Sequence, residues 1–110
     1  MTKRRTFEVE WADAARTDLA LIVEYIAADS VDSAISVLEK IESRAASLTI
    51  MPQRGRVVPE LAVVGVHSYR EIMCAPWRIV YRIAGRKVYV LTVVDSRRNL
   101  EDLLLDRLLR

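Results

Sequence analysis

Residue types that build metal, thiol or crosslinked sites are scarce in this 110-residue chain. It contains one cysteine, Cys74, and one histidine, His67. A single cysteine cannot form an internal disulfide, which fits a reducing compartment, so we expect a cytoplasmic protein. One thiol and one imidazole are too few ligands for a zinc site and form no Cys/His pattern of a thiol nucleophile. We therefore expect neither a metal nor a cofactor.

Long apolar runs are also missing from the sequence. None approaches the roughly 20 residues that span a bilayer. The basic start is followed by alternating residues and not by the apolar core of a signal peptide, so we expect neither membrane insertion nor secretion. No repeat or low-complexity tract occurs. With 52% hydrophobic residues, residues 1–110 are expected to form a single domain with one packed core.

The segment from His67 to Val94 predicts a meander of three strands. Apolar and polar residues alternate through its first two strands, which is the period of a strand with one buried face. A turn at Ala75-Pro76 separates these two strands, and Gly85 lies in the turn before the third. The third strand, Val88 to Val94, is apolar at nearly every position, as expected for a central strand or one covered on both faces.

The residues before the meander predict one strand and a helical hairpin. Thr6 to Trp11 alternates like a strand, and apolar residues recur at helical spacing over Ala12–Ala28 and over Val31–Ile50. Pro52 ends the second helix, and the short connection between the two helices favours an antiparallel pair.

The remaining segments complete an α+β fold with the order β-α-α-β-β-β-α. Proline and glycine predict a loop over 52–61, and Asn99 is suited to cap a final helix from Leu100 to Leu109. The hairpin is expected to pack on one face of a small, mostly antiparallel sheet.

Charge is unevenly distributed along the chain, although the net charge is only +2. Residues 12–51 contain three basic and seven acidic side chains, a balance of −4, whereas residues 52–98 contain nine basic and three acidic, a balance of +6. A basic sheet half suits an anionic partner. The alternative is that the arginines only solubilise the outer face of the sheet.

Arginines on the meander are the first candidate site. Arg78 and Arg82 share one face of the middle strand by the period of two, and Arg70 could join them from the neighbouring strand. Alternatively, these arginines pair with carboxylates such as Glu71 or Asp95 and merely cover the sheet.

Further candidates follow from position in the chain. The aromatic residues that alternate with the arginines, Tyr69, Trp77 and Tyr81, are expected in the core beneath the helices. Loops and element ends more often contact partners. The excess of leucines on the final helix either meets another chain or belongs to the core. The candidate contacts for a target or partner are therefore Arg54, Arg56, Arg82, Arg98, Leu104 and Leu108.

Four stretches, in this order, resemble the RelE/ParE superfamily of toxins from type II toxin–antitoxin modules: FEVEWADAARTDLALIVEYIA, MPQRGRVVPEL, YREIMCAPWRIVYRI and VLTVVDSRR. The resemblance covers nearly the whole chain. RelE-like members are ribosome-dependent mRNA endonucleases, and ParE-like members block DNA gyrase. In both branches, a cognate antitoxin wraps and neutralises the toxin.

The resemblance also assigns residues to the ribonuclease branch. Arg70, Arg78 and Arg97 match its basic positions and would be catalytic if the chain were a ribonuclease. Ile72 replaces a second basic residue. Two further positions depart from the pattern, because Leu103 stands near a usual tyrosine or histidine and Asp95 at a usual histidine.

These departures remove proton-transfer groups, and the long hairpin and the VPEL sequence also look more like ParE. The resemblance therefore favours a gyrase-binding toxin that causes growth arrest and stabilises plasmids. Its expected assembly is a toxin dimer or a heterotetramer with antitoxin. An mRNA endonuclease acting on the ribosome, or a degenerate toxin that binds only antitoxin, are the alternatives.

Overall fold

A helical hairpin covers one face of a five-stranded sheet in the computed structural model, which describes residues 6–96 and 106–107. The fold confirms the predicted α+β class. The helices are α1 (Asp13–Ala27), α2 (Val31–Ala46) and α3 (Pro59–Ala62). The strands are β1 (Glu8–Trp11), β2 (Arg56–Val57), β3 (Tyr69–Cys74), β4 (Trp77–Ala84) and β5 (Lys87–Asp95).

The sheet order is β1-β5-β4-β3-β2. β1 pairs with β5 in parallel, and the other three pairings are antiparallel. β5 thus lies between β4 and β1, which explains its nearly continuous apolar sequence. Within the described residues, no helix is long and apolar enough to cross a membrane.

The segment expected to be a loop contains more structure than predicted. Residues 52–62 hold a 3₁₀ turn (Pro52–Arg54), β2 and α3. Elements of two to four residues are too short to show a hydrophobic period. α2 ends at Ala46 and continues as a 3₁₀ turn, Ser47–Thr49. The predicted final helix lies outside the described residues except for Asp106 and Arg107, which are helical.

Local signals explain the hairpin. Ser30 lies between the helices in an extended conformation, and its hydroxyl accepts the backbone N–H of Ser33 at 3.2 Å, so it caps α2. Asp32 in the first turn and Arg44 in the last turn complement the helix dipole. Arg44 also donates two hydrogen bonds to the carbonyl oxygen of Met73 on β3, which ties α2 to the sheet.

The main core lies between the hairpin and the sheet. Ile41 of α2 and Leu48 in the following turn are fully buried against Ile79, Tyr81 and Val90. Trp77 packs against the same cluster. The prediction that Trp77 and Tyr81 lie beneath the helices is therefore confirmed.

A second, smaller core lies on the opposite face of the sheet. Val58, which precedes α3, and Leu61, within α3, pack on Val80 and Val94. Tyr69 packs against this second cluster, so its predicted place beneath the helices is wrong. The cause is the pleat of β3, in which even-numbered residues such as Ile72 face the helices and odd-numbered residues such as Tyr69 face away from them.

Candidate functional site

Arg78 lies at the centre of the sheet face that α3 covers. It is 6% exposed. Its Nε donates to Glu71 Oε1 at 2.7 Å, and its two terminal nitrogens donate to the carboxylate of Glu60 at 2.6 and 2.8 Å. Glu71, 1% exposed, also accepts a hydrogen bond from Arg56 Nε at 2.6 Å. These four residues, with alternating charge, form the ion-pair chain Arg56–Glu71–Arg78–Glu60.

The strand register and the position of α3 bring the residues of this ion-pair chain together. Glu71 lies opposite Val80 and so is a diagonal neighbour of Arg78 on the same face. Pro59 starts α3 and places Glu60 in its first turn, over Arg78. The alternative that Arg78 pairs with Glu71 is confirmed, so this arginine is not open to solvent. Sequence reasoning missed Glu60, because a four-residue helix gives no periodic signal.

The ion-pair chain stabilises the packing of α3 on the sheet electrostatically. The hydrogen bonds from Arg78 lower the pKa of the Glu60 carboxyl, against the opposing effect of burial. The same contacts with Glu60, followed by those with Glu71, raise the pKa of Arg78. Both shifts favour the charged pair, which holds α3 on the sheet.

The Glu60 contact predicts a stability that depends on pH. Because the pKa of Glu60 is lowered on folding, its contribution is present above the ordinary carboxyl pKa and is lost as the pH falls through the folded value. In urea titrations we expect Glu60→Gln to be less stable than the parent at pH 7. The difference should shrink below about pH 4. A difference that is independent of pH would contradict this assignment.

Arg70 lies on the other face of the sheet, beneath the helices. Its register partner is Tyr81, so the expectation that it joins Arg78 and Arg82 is wrong. Arg70 donates to the carbonyl oxygens of Gly55 at 2.7 Å and Gln53 at 3.2 Å. Arg70, which is half-buried, therefore helps to hold the 52–55 segment on the sheet.

Tyr81 holds the same segment through its buried hydroxyl, which donates to the carbonyl of Pro52 and accepts the backbone N–H of Gly55 at 3.1 Å. Burial raises the pKa of this phenol. We expect Tyr81→Phe to lower the free energy of unfolding by about 1–3 kcal/mol, because it leaves both backbone groups unpaired. Chemical denaturation would measure this loss, and an unchanged midpoint would contradict it.

The remaining predicted contacts are distributed over the surface. Arg54 is exposed and bonds to Ser47, and the Arg56 side chain is 63% exposed at the outer end of the ion-pair chain. Arg82 is half-buried, and its guanidinium lies 5.4 Å from the ring centroid of Tyr89. The others, Arg97, Arg98, Leu104 and Leu108, lie outside the described residues. Partner binding by all of these stays a prediction.

Asp18 of α1 forms a polar cluster that the sequence did not indicate. Its carboxylate accepts hydrogen bonds from the Thr92 hydroxyl at 2.6 Å and the Val93 N–H at 3.1 Å. It also accepts two from Arg107, each at 2.7 Å. These contacts join residues more than 70 positions apart, so no local pattern reveals them. Among the described residues, no three His, Cys, Asp or Glu side chains are grouped to hold a metal.

Two solved structures that are similar to this one come from toxin–antitoxin systems. A chain described as belonging to the chromosomal ParDE toxin–antitoxin system of P. aeruginosa superposes with a TM-score of 0.66 at 18% identity, covering 83% of this chain and 97% of that one. The RelBE2 toxin–antitoxin complex of Mycobacterium tuberculosis gives 0.61 at 20% identity, with coverages of 86% and 97%. At these identities the likeness establishes the fold of RelE/ParE superfamily toxins.

The sequence identifies the branch. Residues 9–100 match the family described as the ParE toxin of the type II toxin–antitoxin system parDE. The match covers most of the chain, and the protein belongs to this family. A comparison with curated proteins finds no match.

Proposed function

We propose that this protein is a ParE-like toxin that arrests growth by binding DNA gyrase, and that a cognate antitoxin neutralises it. Membership in the ParE family supports the assignment. The choice of branch rests on the burial and the ion pairs of Arg78. This arginine, which matches a catalytic position of the ribonuclease branch, is 6% exposed and held by two carboxylates.

Cleavage of RNA by arginines requires guanidinium groups that can reach the scissile phosphate and its developing charge. A phosphate approaching Arg78 would have to displace Glu60 and would meet the buried carboxylate of Glu71, which repels it. Arg70 donates through Nη1 to two loop carbonyls and lies on the opposite face of the sheet from Arg78, and Ile72, at the second basic position, is a core residue. These contacts favour action by binding.

An apolar groove on the helical side supports an antitoxin partner. It lies between α1 and the β3–β4 turn, has a volume of about 560 Å³, and is lined by residues including Ile26, Pro76 and Trp77. Leu21 and Tyr25 on its rim are 59% and 84% exposed. Exposed apolar surface of this kind is typical of protein interaction sites. With antitoxin bound there, the proposed assembly is a toxin dimer or a heterotetramer with antitoxin.

A supercoiling assay tests the proposed target. Purified protein should inhibit ATP-dependent supercoiling by gyrase, and prior incubation with the cognate antitoxin should relieve the inhibition. Growth arrest with a DNA damage response and no new mRNA ends in primer extension is expected in cells. Normal supercoiling at stoichiometric excess together with site-specific mRNA cleavage would establish the endonuclease alternative. Absence of growth arrest would indicate a toxin that only binds antitoxin.

A further inference from the structure

Arg82 lies in a row of side chains that crosses four neighbouring strands on the face opposite the hairpin. Strand register places Tyr69 directly opposite Arg82, Arg82 opposite Tyr89, and Tyr89 opposite Glu10. The neighbours of Tyr89 along β5 pack into the helix-side core, so Tyr89 itself faces away from the helices. Arg82 is thus flanked by two tyrosines on this face.

The guanidinium of Arg82 is held by an aromatic ring and not by an acid. It lies 5.4 Å from the centroid of Tyr89, within the range of a cation–π interaction. Over residues 6–96 and 106–107, no carboxylate forms an ion pair with it. Because a ring face leaves guanidinium N–H groups unsatisfied, Arg82 is oriented and keeps donors for an outside acceptor.

The charges around this row fit one carboxylate and not a polyanion. The ion-pair chain on the same face contains two cations and two anions, and Lys87 is paired with Glu10 at 3.0 Å. Glu8 adds a negative charge at the β1 end. A nucleic-acid backbone needs a stripe of cations. Among the described residues, Arg82 is the one unpaired guanidinium on this face, and the acidic groups around it would repel a polyanion.

We infer that Arg82, oriented by Tyr89, is a docking point for a carboxylate side chain of the toxin's protein target. This inference rests on the proposed function only in requiring an active toxin. The target is favoured over the antitoxin as the occupant because the apolar groove suited to tight, lasting binding lies on the helical side. The Arg82 face offers a small electrostatic contact that selects a partner.

Arg82→Ala and a charge-matched control test the inference. Arg86→Ala removes one positive charge from the adjacent, exposed turn. We expect Arg82→Ala to weaken binding to purified gyrase by roughly tenfold or more and to relieve growth arrest, while Arg86→Ala behaves like the parent. Affinity of Arg82→Ala for the cognate antitoxin should stay within about twofold, which also reports correct folding. If Arg82→Ala misfolds, Arg82→Gln keeps most of the stem and replaces it.

Other results would overturn the inference or separate it from the proposed target. Three results for Arg82→Ala would each refute a target carboxylate. They are growth arrest at the parental level, a loss of antitoxin affinity equal to the loss of gyrase affinity, and a loss of binding to a duplex DNA fragment. If the parent does not bind gyrase but its growth arrest still depends on Arg82 and not on Arg86, the gyrase assignment fails and the inference stands. A parent without growth arrest refutes both.

Discussion

Glu71→Ala is expected to lower the free energy of unfolding by about 3–5 kcal/mol, the loss that follows when one member of a buried ion pair is removed. Glu71 is 1% exposed and accepts hydrogen bonds from Arg78 and Arg56. Without it, the buried end of Arg78 loses its partner on the sheet and keeps only the Glu60 contact. Urea denaturation followed by circular dichroism measures the change.

The control for this substitution is Arg56→Ala, at the other end of the same hydrogen bond. The Arg56 side chain is 63% exposed, whereas that of Glu71 is fully buried. Removal of the exposed Arg56 side chain opens Glu71 Oε2 to water, which replaces the lost contact, so a cost of about 1 kcal/mol or less is expected. Similar losses of unfolding free energy in the two variants would contradict the claim that Glu71 stabilises the fold through its buried pair with Arg78.

Gly55→Ala is expected to cost about 3 kcal/mol, near the upper end for overpacking of a close-packed site. A Cβ at residue 55 would lie 2.7 Å from the carbonyl oxygen of Glu71 and 2.9 Å from Cζ of Tyr81, and would also meet the Tyr81 hydroxyl. The carbonyl is part of β3 and cannot move without disturbing the sheet. The shift would also weaken the Gly55 N–H bond to Tyr81.

Gly65→Ala separates this steric effect from backbone strain. Gly65 has a φ of 83°, and no atom lies within 4 Å of a Cβ built there. Its substitution should therefore cost only the left-handed conformation, about 1–2 kcal/mol. Thermal or urea unfolding of both variants provides the comparison, and a smaller loss for Gly55→Ala than for Gly65→Ala would contradict the clash.

Local patterns were sufficient to predict the main elements of the fold. Apolar stripes located α1 and α2, and alternation located β3 and β4, because each of these elements is long enough to repeat its period. β2 and α3 were missed since two and four residues show no period. α3 matters most, because it covers the part of the sheet face that contains Arg78.

The candidate site was predicted only in part, for a related reason. The period of two correctly placed Arg78 and Arg82 on one face of β4, but it could not tell what covers that face. Arg70 was placed wrongly because the register of β3 against β4 depends on tertiary pairing. The partners of Arg78, Glu60 and Glu71, are 18 and 7 residues away, and only the folded chain brings them together.

The most direct test of the account is growth arrest by a double variant, Arg78→Leu with Glu71→Leu. It removes the buried pair without leaving either charge unpaired, and apolar replacements of buried ion pairs often keep a protein stable. Glu60 and Arg56 remain, each with access to water. If Arg78 only holds the fold, the folded double variant should arrest growth like the parent. A variant that is folded and binds antitoxin but no longer arrests growth would show that Arg78 acts on the target.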